Sequence, residues 1–401
     1  MKIASGWSTR TDADQAAVEA YEMIFDKLQA VPQLLLVHSS CAYDNIRLIK
    51  QLRKLAPGVP IQGGTSCMGV LTEAGFHSNE NKGLGILGVL DPRGGYGVGI
   101  EKLTDNLDMA VSKALESALN EAKRPGELPS AIIVTNVPGN EEKVIKAIEQ
   151  YLGSSVPVIG GTSADNDMSG QWQQFGNDSV FNESVSIATL FTSGEVGYAF
   201  HSGYEPTEFH GVVTRAEGRV LMEVDGRPMA QVYNEWTNGL IDNVLPAGGS
   251  LVPTASFSPL GRPVNRVGGI TYYRLSYPVE ALENQGLLLF TDIKVGDEVV
   301  LMTGNRDSLA TRAGRVASAA VDAAEFKEDE VEGALVLYCT GCMLTITDRL
   351  QEVVDDISLG LNNAPFLSSF TLGEQGCFIG GENRHGNLMV AVLVFGPGKA
   401  M

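Results

Sequence analysis

Cationic residues are scarce in this chain: 29 Lys and Arg stand against 48 Asp and Glu in 401 residues, a formal net charge of -19. A field of that sign repels phosphates, which argues against nucleic acid or an anionic membrane face as a partner. Long apolar runs are also missing. A membrane helix needs roughly eighteen or more uninterrupted apolar residues, and the best window, near Gly333 to Leu344, is broken by Tyr, Thr and Gly. The first residues carry no cationic segment followed by an apolar stretch, and Asp12 and Asp14 come early, so no secretory signal is read. Cysteine is sparse and odd in number: Cys41, Cys67, Cys339, Cys342 and Cys377. Without a secretory signal this favours reduced thiols over a disulfide framework, and the expected location is the cytoplasm. The sequence lacks a nucleophile elbow, a phosphate loop, a dinucleotide fingerprint and a zinc motif, so no catalytic apparatus is expected.

What the chain has is self-similarity. LLLVHSSCAYDNIRLIKQLRKLAPGVPIQGGTS from Leu34 and AIIVTNVPGNEEKVIKAIEQYLGSSVPVIGGTS from Ala131 share an apolar strand, a turn, an amphipathic stretch and a second strand ending in VPxxGGTS. Gly63 and Gly160 head equivalent positions, which makes the pair a duplication. A third copy from Gly333 keeps the order of elements, with Ile346, Leu350, Val353 and Ile357 on one helical face and APFLSSFT in place of the GGTS strand. Each copy is preceded by a strand and a long helix. The strands are KIASGWS, GYGVGIE and EVVLMTG; the helices are Asp12–Leu28, Asp105–Ala122 and Asp307–Ala324, with Asp12, Asp105 and Asp307 as N-caps. GLGILGVL, VSIATLF and NLMVAVLVF supply a closing strand to each. The expected fold is therefore α/β, with mixed β-sheets covered by helices and three related strand-helix-strand-helix-strand units. Residues 1–205 form a first domain of two units. Residues 206–401 form a second, made of a β-rich insertion (206–296) with a hairpin signal at Asp225-Gly226, and the third unit (297–401).

Ligands of open α/β sheets sit beyond the carboxyl ends of strands. That points to the GGTS segments, where Gly64, Thr65, Ser66, Thr162 and Ser163 offer close-approaching backbone and hydroxyls for a carboxylate or phosphate. The alternative is that Gly-Gly simply makes a strand-end turn. Cys339-x-x-Cys342 reads as a redox pair, as half a metal site that Cys67 and Cys377 could complete, or as small apolar residues after a buried strand. His38 faces the same region, His77, His201 and His210 sit in polar contexts expected to be exposed, and His385 precedes the last strand. Thr65, Ser66 and Cys67 from the first half are expected to meet Cys342, Thr345, Glu374 and His385 from the second in one composite cleft.

GGTSCMGVLTE, GGTSADND, EGRVLMEVDGRPMAQVY, LYCTG, TLGEQG and RHGNLMVAVLVF, in this order from about Leu34 to Phe395, resemble the paired N- and C-terminal FIST (F-box and intracellular signal transduction) domains. The resemblance implies a small-ligand-sensing input protein of bacterial signal transduction. It would act on a separate partner with a signalling output domain: a kinase, a cyclic-dinucleotide enzyme or a chemotaxis component. It also implies a haem-based nitric oxide sensor as an alternative, for which His385 is the candidate axial ligand; the residues Cys339 and Cys342 separately suggest a cysteine-dependent enzyme or redox protein. The chain departs from the family pattern where Cys342 replaces an arginine, where only Gly373 and Glu374 of a turn are kept, and where an asparagine has moved to Asn387.

Overall fold

The computed structural model describes residues 1–153, 156–252, 254–267 and 269–398. The first unit runs β1 (Lys2–Ser8), α1 (Ala13–Leu28), β2 (Leu34–Ser39), α2 (Asn45–Leu55), β3 (Ile61–Thr65), a hairpin β4 (Val70–Thr72) and β5 (Gly75–His77), and β6 (Leu84–Leu90). The second repeats it: β7 (Gly95–Lys102), α3 (Leu107–Glu121), β8 (Ala131–Asn136), α4 (Glu141–Leu152), β9 (Val158–Thr162), hairpin β10 (Gln174–Gly176) and β11 (Ser179–Phe181), and β12 (Ser184–Phe191). β13 (Gly194–His201) follows, then an insert of β14 (Glu205–Glu217), β15 (Val220–Val224), β16 (Arg227–Pro228), α5 (Met229–Trp236), β17 (Gly249–Ser250), β18 (Leu260–Val267), β19 (Ile270–Ser276), β20 (Pro278–Ala281), β21 (Leu287–Leu289) and β22 (Glu298–Thr303). The chain ends with α6 (Arg306–Ala323), β23 (Gly333–Cys339), α7 (Thr340–Thr345), α8 (Leu350–Gly360), β24 (Phe366–Thr371), hairpin β25 (Glu374–Phe378) and β26 (Glu382–Gly386), and β27 (Val390–Gly398).

Three six-stranded sheets share one order: β1-β6-β2-β3-β10-β11, β7-β12-β8-β9-β25-β26 and β13-β27-β23-β24-β4-β5. In each, four strands are the unit's own and the last two are another unit's hairpin. The first unit's hairpin joins the third unit's sheet, the second's joins the first, and the third's joins the second, which closes a ring of exchange. The duplication read from the sequence is seen in the pairing. Gly63 lies opposite Val37 and Gly160 opposite Val134, in parallel ladders of the same register. Within the units α1 packs on α2, α3 on α4 and α6 on α8, and each helix pair covers the outer face of its own sheet.

Three expectations are corrected. EVVLMTG does not open the third unit: β22 pairs with β14 and β18 in the insert's nine-stranded sheet, while β13 takes the edge next to β27. The third unit is thus interrupted after its first strand, and resumes at α6; EVVLMTG is an apolar run buried on both faces, and such a strand carries no mark of which partner it will bond. The caps of the second and third long helices are Asn106 and Asn305, not Asp105 and Asp307; Asn305 and Ser308 form a reciprocal capping box. Asp12 caps α1 as expected, accepting from Gln15 N at 3.0 Å. The Asp225-Gly226 turn does join β15 to β16, with both residues at positive φ. Among the described residues no helix is long and apolar enough to cross a membrane.

Candidate functional site

The GGTS segments meet at the centre of the three units, and they meet by close packing. A methyl group on Gly63 would lie 1.8 Å from the Val37 carbonyl oxygen, and one on Gly160 2.0 Å from that of Val134. On Gly64 it would lie 2.5 Å from Ser163 Oγ, and on Gly161 2.7 Å from the Thr371 methyl. The second glycine of each copy therefore makes room for the hydroxyl residue of the next unit. Main-chain bonds continue the ring: Ala164 N donates to Thr65 O at 2.9 Å, Cys67 N to Phe370 O at 3.3 Å and Thr162 N to Gly373 O at 3.0 Å. Ser66 Oγ donates to Gly69 O at 2.6 Å and accepts from Phe370 N at 2.8 Å. Thr65, Ser66, Cys67, Thr162 and Ser163 are all buried, so the structure brings them together as an interlock rather than as the wall of an open cleft.

From the second half, Glu374 reaches this interior. Its carboxylate accepts from Thr371 Oγ1 at 2.8 Å and Met389 N at 3.0 Å, and burial, reinforced by Cys339, pushes it well above the usual carboxyl range. Cys342 is buried on α7, beside a group that sequence reading missed. Arg312 enters from the inward stripe of α6, between Leu309, Ala313 and Val316, and is fully buried. Its Nη1 donates to the carbonyls of Leu388 at 2.7 Å and Ser202 at 3.1 Å, and its guanidinium lies 4.6 Å over the Tyr338 ring. Its Nε and Nη2 have no partner. Tyr204 Oη lies 3.8 Å from Cys342 Sγ. Burial raises the Cys342 thiol, but the Cys339 thiol and the Arg312 charge outweigh it and bring it below its ordinary value. An arginine inside an otherwise apolar helical stripe is the signal that would have found this cluster. Thr345, half-buried, donates to Gly341 O at 2.7 Å, one helical turn back.

His385 lies on β26. Its Nδ1 is 3.0 Å from Glu142 Oε1, and Arg219 Nη2 bonds both Glu141 and Glu142 at 2.7 Å, with its Nε 3.2 Å from Asp292. Burial pushes Glu142 up, but His385 and Arg219 overcome it and hold the carboxylate well below its usual range. Glu141, Glu142 and His385 are close enough together for one ion, yet Arg219 already neutralises the carboxylates. Nor does the position fit a haem. The ring is buried, and its Nε2, the atom left to reach an iron, is packed against Gly373, where a methyl would be 2.6 Å away, and Asn387 Nδ2 at 3.5 Å. His77, expected to be exposed, is buried against Trp7 with ring centroids 3.9 Å apart, and burial lowers it to about 4. His38 is buried beside Gly64 and lowered to about 4 by the same cause. His210 is exposed as expected.

Open space is found elsewhere, including on the seam between the insert and the third unit. A cavity of about 240 Å³ is bounded by Phe200 and His201 at the end of β13, Arg315 and Ala319 on α6, and Ile270 and Tyr272 on β19 of the insert. The stem of Arg312 contributes to its wall, and a second cavity of about 360 Å³ adjoins it across His201 and Ile270. His201 Nδ1 accepts from Gly203 N at 3.1 Å, and the ring meets Tyr272 edge-on at 5.6 Å. Burial, helped by Arg315 and Arg312, lowers His201 below its ordinary value. None of the ten residues singled out from the sequence lines this cavity.

The FIST N domain family model matches residues 33–227 and the FIST C domain model residues 230–377. The chain belongs to the FIST family. FIST domains are associated with sensing in signal transduction. The two family matches of this FIST protein divide within the insert, which the structure shows as one nine-stranded sheet. It is 30% identical over 96 residues to the uncharacterized protein MJ1623 of Methanocaldococcus jannaschii, covering 24% of this chain and 18% of that one. This FIST chain thus spans under a fifth of that relative's length. Among solved structures it is similar to the cyanuric acid hydrolase of A. caulinodans, at 9% identity and TM-score 0.36 over 100% of this chain and 99% of that one. It is also similar to PurLQS of Thermotoga maritima, at 10% identity and TM-score 0.22 over 98% and 72%. Likeness at this level carries no argument about chemistry.

Proposed function

We propose that this FIST protein is a cytoplasmic input module for a small ligand, that the ligand occupies the seam cavity, and that a separate signalling partner carries the output. The observation that carries the reading is that one cavity is walled both by the insert, through Ile270 and Tyr272, and by the third unit, through β13 and α6. A ligand touching two bodies favours one relative arrangement of them and shifts that equilibrium by its difference in affinity. No catalytic step is assigned to the site. The test is thermal stabilisation of the purified protein by a small-molecule library, repeated on Ala319→Trp, whose indole fills the cavity. Stabilisation lost in the variant supports the reading, since a ligand stabilises by mass action only where it binds. Stabilisation unchanged in the variant defeats it.

A second reading, a thiol redox centre at Cys339 and Cys342, draws on Arg312, whose buried charge favours the Cys342 thiolate. Its test is a redox titration of both thiols against glutathione. Conversion to a disulfide near cellular potentials supports it, and a pair that stays reduced under oxidising buffer removes it.

A further inference from the structure

We infer that the ligand of the seam cavity is a small organic anion, a carboxylate carried on a compact apolar body. This rests on the reading of the cavity as the ligand site and names what that site selects.

The polar groups at the cavity are donors. Gly203 N–H already occupies His201 Nδ1 at 3.1 Å, so the neutral ring carries its proton on Nε2 and offers it as a donor. Arg315 adds a guanidinium whose Nη1 bonds Thr311 Oγ1 at 2.6 Å and which makes no ion pair among the described residues. Asp356, on the helix packed against α6, feels the Arg315 charge but lies beyond ion-pair distance. Beneath the wall, the Arg312 charge is held by two carbonyls and no carboxylate. No Asp or Glu lines this cavity, and Glu205 is confined to the adjoining one, in a chain where acidic residues outnumber basic ones 48 to 29. A pocket that presents the Arg315 guanidinium and no acid, set in a protein of opposite overall sign, discriminates for an anion, because the charge it presents is not already neutralised.

The rest of the wall sets the ligand's body. Phe200, Tyr272, Ile270 and Ala319 are apolar or present ring faces and edges, and the volume of about 240 Å³ lies below that of drug-sized sites. That space suits a single ring or a short branched chain. Ile270 is 62% exposed and stands between the two cavities, which places the entrance on the side of the adjoining cavity.

The experiment is calorimetric titration of the full chain with phenylacetate and with phenylacetamide, which match in shape and differ in charge. Phenylacetate is expected to bind, phenylacetamide to bind at least about tenfold more weakly, and Arg315→Gln to weaken phenylacetate about tenfold through loss of a charge-assisted pair. Arg315 is exposed on α6, so the variant is expected to keep its fold, and an unchanged melting temperature verifies this. Equal binding of acid and amide, both abolished by Ala319→Trp, overturns the anion and leaves the seam as the ligand site. Phenylacetate binding that survives both Arg315→Gln and Ala319→Trp overturns the inference, because the acid then binds elsewhere. If neither compound binds, the anion class falls, and the library test on Ala319→Trp separately decides whether the seam reading falls with it.

Discussion

At the scale of single residues, the paired glycines illustrate how a motif suited to a ligand can be required by packing. Gly63 and Gly160 stand where any side chain would overlap a carbonyl oxygen of the neighbouring strand by more than 1 Å. Gly63→Ala and Gly160→Ala are each expected to destabilise the protein by about 3 kcal/mol or more, at the upper end of overpacking effects, read as a lower urea midpoint. A loss under about 1 kcal/mol would mean that the strands relax freely. In the third copy the same place is held by Ser368, opposite Val336, so that ladder tolerates a side chain. The buried histidines act through pH. His38 and His77 are lowered to about 4 by burial, so between that value and their ordinary one near 6.5 the unfolded chain binds protons that the folded chain refuses. Stability is therefore fully present above pH 6.5 and declines as pH falls toward 4. Melting temperature measured across this range checks the sign, and His77→Gln is expected to flatten the curve. Glu374, pushed upward, contributes in the opposite direction, so an unchanged slope in His77→Gln would show that another group dominates.

At the scale of elements, Arg219 ties three parts of the chain. It projects from the turn between β14 and β15, bonds Glu141 and Glu142 at the start of α4, and through Glu142 reaches His385 on β26. Arg219→Met leaves two largely buried carboxylates facing each other without their cation. About 2 kcal/mol of destabilisation is expected, less than for a fully buried pair because the arginine side chain keeps 20% exposure. Chemical denaturation of Arg219→Met measures this, and restoration by the double variant with Glu142→Gln would show that the uncompensated charge, not lost packing, is responsible. If the single variant is as stable as the parent, the latch contributes nothing. Sequence reading placed His385 ahead of the last strand, but neither its burial on β26 nor its partner was legible, because Glu142 lies more than two hundred residues away.

At the scale of the whole molecule, the exchanged hairpins make the three units mutually dependent. A fragment of residues 1–193 holds two complete repeats, yet its second sheet lacks β25 and β26, and its own β4 and β5 have no β24 to pair with. Such a fragment exposes unpaired strand edges and is expected to aggregate or unfold. A monomeric, cooperatively melting 1–193 would show that the ring is dispensable. The full chain is expected to show no separate early transition for any one unit. The insert differs: it leaves and re-enters the core at Glu205 and Thr303, which are paired neighbours on β14 and β22. Its two covalent connections thus lie at one place, next to the seam cavities, while the Arg219 contacts hold it at another.

The repeat, the order of strands and helices, the cap of α1 and the β15–β16 turn were determined by the sequence itself, because each rests on local periodicity or on a few adjacent residues. Which sheet each hairpin joins, that β13 rather than β22 opens the third unit, and that Arg312, Arg315, His201 and Tyr272 surround one cavity were decided by the tertiary structure alone. The reason is that main-chain hydrogen bonds are the same for any strand, so pairing leaves no local mark. A cavity, likewise, is made of what distant segments leave unfilled. The two GGTS segments, with Ser66 and Ser163 in matching places, were legible as copies of one another, and only their burial revealed that they hold the units to one another.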